Sequence, residues 1–227
     1  MKDILKNGVI LMIYCIAAAA VLGFVYVSTK DAIKNADLSA KFQAMKAVLT
    51  DYETGKLMVD EKLIKDKLMN SGEEKVIERT YEGVNGKVIL PYYEFDVNGK
   101  KIFVLVGAAP GFGGDVKVMV SFVKRNGEIY LHSIRVLDAS QETPGLGAKI
   151  MEEGPQKRFY SIPQSGLEKG VVVDKDAKDR SVKNKDNGVV KTSDVMTGAT
   201  ITPRAVANAI NIMYAYLKEV ILGGEKQ

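Results

Sequence analysis

The sequence contains few of the residues that hold metal ions or disulfides. Among its 227 residues there is one cysteine, Cys15, one histidine, His132, and no tryptophan. A single cysteine rules out an intrachain disulfide and any Cys-x-x-Cys metal or iron–sulfur site. One histidine without a second one or a nearby thiolate argues against transition-metal catalysis. Redox chemistry would therefore need an organic cofactor, and for His132 we expect an ordinary strand position on a half-exposed face.

Signatures for binding nucleic acids or nucleotides are also missing. The 32 Lys and Arg residues are interleaved with 28 Asp and Glu residues, and no zinc-finger or RNA-binding motif accompanies them, so a nucleic-acid role has little support. The glycine-rich segment 107–114 lies between two predicted strands, and no Gly-Lys-Thr or Gly-Lys-Ser follows it. Dinucleotide and Walker loops lead from a strand into a helix. We interpret this segment as a tight connection between strands.

Charge is absent from residues 8–27. As a helix that rises 1.5 Å per residue, twenty residues can cross about 30 Å of hydrocarbon. Lys2 and Lys6 precede this stretch, and the positive-inside rule then places the N-terminus in the cytoplasm. We predict a single-pass anchor in the lipid bilayer of the cytoplasmic (inner) membrane, with the soluble part on the extracytoplasmic side. A cleaved signal peptide is the alternative, because Ala18-Ala19-Ala20 would permit cleavage, although signal-peptide apolar regions run to only about 7–15 residues.

Two helices are predicted after the anchor. From residue 31 to about residue 50, apolar residues recur at helical intervals without Gly or Pro, which indicates a helix rising from the membrane. Asp60 can cap a second helix that ends near residues 70–72. We therefore divide the chain into an anchor, a membrane-proximal helical segment and a soluble domain, with bounds 1–29, 30–80 and 81–227.

The next block has the alternating pattern of strands. Strands are predicted at residues 92–97, 100–106, 116–124 and 128–136. Asn98-Gly99 and Asn126-Gly127 separate the two pairs, and both are favoured hairpin dipeptides. Because the strands come in a run, the fold class is α+β: one N-terminal transmembrane helix, then a soluble domain with an antiparallel β-sheet packed by helices. Polar residues 174–187 are predicted to form a solvated excursion.

Near the C-terminal end, the stretch from Asp194 to Thr200 leads into an amphipathic helix. Thr202 can cap that helix with Pro203 at its first position, since proline there loses no needed donor. Thr200 would then lie just outside a helix N-terminus, where unpaired N–H groups and about half a positive charge attract anions. A phosphate held by Thr200 is the obvious candidate, although a simple turn before a capped helix would show the same pattern.

A second cluster, residues 142–147, has the sequence Glu-Thr-Pro-Gly-Leu-Gly. Pro-Gly is turn chemistry, and Thr143 before proline is pushed towards an extended conformation, so we predict a rigid loop. Such a loop suits a flat heteroaromatic ring, because Leu146 offers an apolar face while Thr143 and the loop amides offer hydrogen bonds.

These two motifs resemble those of the FMN-binding domain family that includes the RnfG and NqrC subunits of ion-pumping respiratory complexes. Residues 194–200 match the flavinylation motif Asp-x-x-(Ser/Thr)-Gly-Ala-Thr, and residues 142–147 match the second hallmark of the family. The resemblance implies that a separate flavin transferase joins Thr200 to the phosphate of FMN through a phosphoester, that residues 142–147 contribute to the flavin pocket, and that Asp194 assists attachment. The cofactor-binding residues implied are Asp194, Thr197, Gly198, Ala199, Thr200, Glu142, Thr143, Gly145, Leu146 and Gly147. No catalytic or metal-binding residue is implied.

The motifs occur in the order found in the family, and we identify the chain as RnfG-like, while an NqrC-like subunit shares every motif named above. This resemblance implies a membrane-anchored electron carrier with covalent FMN, which acts with the other subunits of an Rnf-type ferredoxin:NAD⁺ oxidoreductase coupled to Na⁺ or H⁺ transport. Such a chain is the electron-transfer subunit of a translocase and has no substrate site of its own. The alternatives are an NqrC-like subunit of a Na⁺-translocating NADH:quinone reductase, a free-standing flavin domain that serves an extracellular reductase, and a non-redox, membrane-anchored binding module.

The topology can be tested directly. A periplasmic reporter enzyme fused after Lys30 should be active, while a reporter that works only in the cytoplasm should be inactive at the same junction, because the residues after the anchor lie outside. N-terminal sequencing of the native protein should find the anchor retained. A mature N-terminus near Ala20 would instead identify a signal peptide.

Overall fold

A computed structural model describes residues 2–177 and 182–224. The chain forms two compact units, residues 1–42 and 43–227. The first unit is made of helix α1, which runs over Lys2–Leu49 and whose last residues belong to the second unit. By length and composition α1 can cross a membrane, and none of its most apolar window is buried inside the protein. The helix predicted from residue 31 is the continuation of α1, because neither Gly nor Pro occurs between residues 24 and 49.

The second unit is built on a five-stranded antiparallel sheet in which neighbours in sequence are neighbours in space. The strands are β1 (Lys75–Tyr81), β2 (Val84–Val97), β3 (Lys100–Pro110), β4 (Asp115–Arg125) and β5 (Glu128–Asp138). All four predicted strands and both Asn-Gly hairpins are present, and the fold class is confirmed. However, β2 begins at residue 84 rather than 92, and β3 continues through residues 107–110, so the connection is confined to residues 111–114. The sequence pattern does not predict β1, because this edge strand carries Lys75, Glu78 and Arg79 and turns into β2 through Glu82-Gly83 rather than Asn-Gly.

Helix α5 (Ile201–Tyr216) covers one face of the sheet. The predicted apolar stripe is confirmed, because Val206, Ile210 and Met213 are buried in the main core. Two strand glycines allow the close packing of α5. A Cβ on Gly86 would lie 2.3 Å from Cδ1 of Ile212, and a Cβ on Gly107 would lie 2.7 Å from Cγ of Met213. Any side chain at either position would push α5 away from the sheet.

The opposite face receives the end of α1 and helix α2 (Glu61–Met69). Asp60 caps α2 as predicted, with its carboxylate accepting from the N–H of Lys62 at 2.7 Å. The buried hydroxyls of Ser121 and Ser133 both donate to the carbonyl of Val48, at 2.7 and 2.9 Å. This carbonyl is one of the last four of α1 and has no partner within the helix, so two strands satisfy it.

The prediction that His132 lies half-exposed is wrong. Its ring is buried, its Nε2 lies 3.1 Å from the carbonyl oxygen of Thr50, and its centroid is 5.1 Å from that of Tyr52. Burial lowers the pKa of His132, and the hydrogen bond to Thr50 and the charge of Asp51 oppose this shift only in part. The residues after α1 cover this strand position, which a strand pattern cannot reveal.

The chain between β5 and α5 consists of short elements. They are a 3₁₀ turn (Gly147–Met151), α3 (Glu153–Lys157), α4 (Gln164–Glu168), the parallel pair β6 (Val172–Val173) and β7 (Val189–Val190), and a 3₁₀ turn (Lys185–Asn187). The predicted excursion 174–187 lies partly outside the described residues, at 178–181. After α5 the chain makes a π turn (Leu217–Ile221) and the short helix α6 (Leu222–Gly224). The division into three parts made from the sequence stays a prediction.

The paired serines predict a non-additive loss of stability. In Ser121→Ala or Ser133→Ala the remaining hydroxyl still pairs with the Val48 carbonyl, so each should cost about 1 kcal/mol of unfolding free energy. The double variant leaves a buried carbonyl unpaired and should cost about 1–3 kcal/mol more than the sum of the single costs. Denaturant unfolding of the full chain in detergent, followed by circular dichroism, measures the difference. Ser165→Ala, at an exposed serine of α4, is the control, and strict additivity would contradict the shared role.

Candidate functional site

The start of α5 differs from the sequence prediction. The helix begins at Ile201, Thr200 occupies the N-cap position, and Pro203 is the third helical residue. Thr202 is buried, and its hydroxyl donates to a carboxylate oxygen of Glu142 rather than to a backbone group. The prediction that Thr202 caps the helix with Pro203 at its first position is therefore wrong, because a buried carboxylate takes the hydroxyl that capping would need.

Thr200 is half-buried, and its side chain makes no capping hydrogen bond. The first N–H groups of an α-helix have no acceptor within the helix and carry the positive end of its dipole. At α5 these are the N–H groups of Ile201 and Thr202, while Pro203 has no N–H to leave unpaired. Thr200 thus places a hydroxyl at a helix end that favours a negatively charged group.

The carboxylate of Glu142 ties three segments together. Its Oε1 accepts from the N–H groups of Phe112 and Gly113, at 2.7 and 3.3 Å, and its Oε2 accepts from the Thr202 hydroxyl. Glu142 is itself buried. The connection 111–114, the loop 142–147 and the start of α5 therefore meet at one side chain.

The loop 142–147 is closed by its own backbone and packs tightly against this carboxylate. The carbonyl of Thr143 accepts from the N–H groups of Leu146 and Ala148, at 3.2 and 3.1 Å. Gly145 has a φ of 73°, which favours glycine. A Cβ on Gly147 would lie 2.6 Å from Oγ1 of Thr202 and 2.7 Å from Oε2 of Glu142, so only glycine fits there without a shift of its neighbours.

The two sequence motifs meet in an open cavity of about 230 Å³. Its lining consists of Phe112, Glu142, Thr143, Leu146, Gly147, Gly198, Ala199, Thr200, Ile201 and Thr202. The structure thus brings together seven of the ten predicted site residues. Phe112, Ile201 and Thr202 were not predicted as site residues, although the Gly-Phe-Gly-Gly pattern around Phe112 marked this connection in the sequence.

Asp194, Thr197 and Gly145 lie outside the cavity lining. The Asp194 carboxylate is 3.0 Å from Nη2 of Arg158 and 3.6 Å from Nζ of Lys191, and it is exposed. The exposed Thr197 hydroxyl donates to the carbonyl of Ser193 at 3.3 Å. Two basic side chains thus partly compensate the charge of the exposed Asp194.

Two aspartates from the preceding segment hold the motif in place. Oδ1 of Asp174 accepts from the N–H groups of Thr192 and Ser193, at 3.1 and 3.3 Å, and its other oxygen accepts from the Ser193 hydroxyl. Burial raises the pKa of Asp174, but the hydrogen bonds from Ser193 and Thr192 outweigh it and leave the pKa lowered. Asp176 accepts two hydrogen bonds from Arg204 in the first turn of α5, at 2.6 and 2.7 Å.

These residues fit a flavin nucleotide. A free hydroxyl beside a helix N-terminus suits the phosphate, and the cavity also exposes apolar side chains, Leu146 and Ile201, to a flat ring. Among residues 2–177 and 182–224, no cluster of three or more His, Cys, Asp or Glu side chains could hold a metal ion. The cavity offers an organic cofactor a hydroxyl at a helix end and an apolar surface.

The chain is similar to known proteins over most of its length. Residues 111–215 match the FMN-binding domain family, and residues 1–48 match the RnfG N-terminal region. The RnfG component of the ion-translocating oxidoreductase complex of Aliivibrio fischeri strain ATCC 700601 / ES114 is 31% identical over 212 residues, 90% of this chain and 86% of the relative. That of Vibrio atlanticus is 30% identical over 221 residues, 96% of this chain and 92% of the relative.

Among solved structures, the NqrC component of the Na⁺-translocating NADH-quinone reductase from Parabacteroides distasonis is similar, with a TM-score of 0.47 and 17% identity. The similarity covers 81% of this chain and 94% of that one. The family matches and the RnfG relatives, which extend over nearly the whole chain, lead to one conclusion. The chain belongs to the RnfG family of ion-translocating oxidoreductase complex proteins, which carry an FMN-binding domain.

Proposed function

We propose that this protein is a covalently flavinylated electron carrier of an ion-translocating oxidoreductase complex, with FMN joined to Thr200 by a phosphoester. The observation that carries the proposal is the position of the Thr200 hydroxyl. It makes no capping bond and lines the cavity at the N-terminus of α5. Thr202, the nearest competing threonine, has its hydroxyl committed to Glu142.

The flavin would supply the electron-transfer chemistry, and the protein would hold and tune it. The N–H groups at the start of α5 would stabilise the charge that remains on the phosphodiester. Leu146, 45% exposed, offers an apolar contact for the ring system, and Thr143 on the same loop offers a hydroxyl. Glu142 acts here as the clamp that fixes the lining rather than as a direct ligand, because both of its oxygens are occupied.

The size of the cavity supports the role of a carrier. Pockets that enclose a drug-sized ligand measure roughly 300–1,000 Å³, whereas this one measures about 230 Å³ and is open to solvent. A tethered flavin would therefore keep part of its ring system exposed. An exposed edge suits electron exchange with partner subunits, while a buried substrate site would need a closed pocket.

The remaining proposals concern the surroundings of the protein. The relatives are named as subunits of an ion-translocating oxidoreductase complex, and we extend that assembly, of the Rnf type, to this chain. Attachment of FMN requires a flavin transferase. The exposed Asp194, three residues before the Thr197-Gly198 turn, is available to such an enzyme.

We place the flavin domain on the extracytoplasmic side of the inner membrane. The match of residues 1–48 to the RnfG N-terminal region favours the RnfG role over an NqrC-like one.

Substitution of Thr200 tests the tether. When the full chain is expressed with a flavin transferase, Thr200→Ala should lose all in-gel flavin fluorescence after denaturation, because the hydroxyl of the nearest other threonine, Thr202, is bonded to Glu142. Thr80→Ala, at an exposed threonine of β1 outside both motifs, is the matched control and should keep the fluorescence. Peptide mass spectrometry should find the FMN mass on the peptide that contains Thr200. If denatured Thr200→Ala protein kept its flavin fluorescence, the covalent bond to the flavin would lie at another residue.

Substitutions of Glu142 test whether this residue fixes the cavity lining or binds the flavin directly. Glu142→Ala leaves the buried Thr202 hydroxyl and two part-buried N–H groups without an acceptor, so it should lower the unfolding free energy by about 1–3 kcal/mol and reduce loading with FMN. Glu142→Gln keeps an acceptor for the N–H groups and a donor for Thr202, and should retain most stability and loading. Denaturant unfolding and the flavin-to-protein absorbance ratio measure both effects. If Glu142→Gln lost as much stability and FMN loading as Glu142→Ala, the negative charge of Glu142 would be required, and the role of a hydrogen-bonding clamp alone would be contradicted.

A further inference from the structure

Phe112 is an exposed aromatic residue at the candidate flavin site. It lies in the connection 111–114 between β3 and β4, and its side chain is 69% exposed although it lines the cavity. Single exposed apolar residues are common on protein surfaces. Here, however, Leu146 and Ile201, 45% and 40% exposed, line the same cavity. Three exposed apolar side chains from three separate segments converge on one opening.

The backbone around Phe112 is held rigidly. The N–H of Phe112 donates to buried Glu142 at 2.7 Å, and the N–H of Gly111 donates to the carbonyl of Gly114 at 2.8 Å. A Cβ on Gly111 would lie 2.3 Å from Oε1 of Glu142, and a Cβ on Gly113 would lie 1.8 Å from the carbonyl oxygen of Gln141. The neighbours of Phe112 therefore approach Gln141 and Glu142 too closely to carry side chains.

The fold does not need the phenyl ring. The contact with Glu142 is made by a backbone N–H, which any residue except proline could donate. Phe112 is the one residue with a side chain in the connection 111–114, and that side chain stands in solvent rather than in the core. The backbone thus holds a solvent-exposed aromatic ring rigidly beside a candidate site for a flat heteroaromatic group. Aromatic rings stack favourably on each other, so this position suits a contact between the two.

We propose that Phe112 is a flavin-contact residue: its ring packs against the isoalloxazine ring of the FMN carried by Thr200. The inference rests on the proposed function, because it presupposes the tether. The covalent bond fixes only the phosphate end of the cofactor, and the flexible ribityl chain leaves the orientation of the ring undetermined. Phe112 supplies an aromatic wall that limits this freedom and covers one part of the ring.

The absence of tryptophan from the chain provides a sharp test. Tryptophan in van der Waals contact with an isoalloxazine ring quenches flavin fluorescence by electron transfer, whereas phenylalanine quenches it only weakly. Phe112→Trp is compared with Met69→Trp, which introduces the same probe at a residue 71% exposed on α2, outside the cavity lining. Both are made in the full chain, expressed with a flavin transferase and purified in detergent.

At equal covalent loading, Phe112→Trp should show a severalfold lower native flavin fluorescence and a shorter lifetime than Met69→Trp. Unfolding in denaturant should abolish the difference, because the contact depends on the folded loop. In Phe112→Ala the flavin fluorescence anisotropy should fall below that of wild type, since the ring would move more freely.

The two proposals fail in distinguishable ways. Equal native fluorescence of loaded Phe112→Trp and loaded Met69→Trp would overturn the contact while leaving the tether intact. Wild-type protein without covalent flavin would instead contradict the proposed function. If Phe112→Trp were not loaded, Phe112→Tyr against Met69→Tyr would provide the same comparison, because tyrosine also quenches flavin on contact.

Discussion

The buried carboxylate of Glu142 is the interaction on which the candidate site depends. It accepts hydrogen bonds from two backbone N–H groups of one connection and from the Thr202 hydroxyl of α5. A buried charged group is tolerated only when its hydrogen-bonding capacity is used, and here each oxygen has a partner. Because these partners come from segments far apart in the chain, one side chain sets the relative positions of the cavity walls.

The sheet supplies the platform for this arrangement. Gly86 and Gly107 let α5 pack directly on β2 and β3, which fixes where the N-terminus of α5, and with it Thr200, lies. Asp176 holds the first turn of α5 through Arg204, and Asp174 holds the segment before the motif. The segment around Thr200 is therefore supported from the core and from both sides of the motif, as a binding site of defined geometry requires.

The opposite face of the sheet has a different task. Ser121 and Ser133 satisfy the Val48 carbonyl, and His132 contacts the Thr50 carbonyl. The residues in which α1 ends are thus part of the folded domain rather than a linker. Two groups of exposed apolar side chains stand out, the long uncharged run of α1 and the side chains at the cavity, and they suit a bilayer and a flat cofactor respectively.

Much of the architecture could be predicted from local patterns. Three features depend only on neighbouring residues and can therefore be read directly from the sequence. They are the uncharged residues 8–27, the Asn-Gly hairpins and the alternating strands. Strand β1 was not predicted, because an edge strand tolerates charged residues and its alternation of apolar and polar residues is therefore weak. The family resemblance implied a role for Thr200 and for residues 142–147, and the structure places both in the lining of one cavity.

By itself, the sequence determined the long apolar N-terminal stretch, the run of strands and the two motifs, because each depends on residues that are close together in the chain. The tertiary structure alone decided how the motifs meet. Nothing near Thr202 in sequence indicates that its hydroxyl bonds to Glu142, sixty residues away, or that α5 therefore begins at Ile201 with Thr200 at its cap. The burial of His132 and the position of Phe112 at the cavity could not be predicted from the sequence either. Hydrogen bonds and packing between distant segments set them, and such contacts leave no periodic trace in the chain.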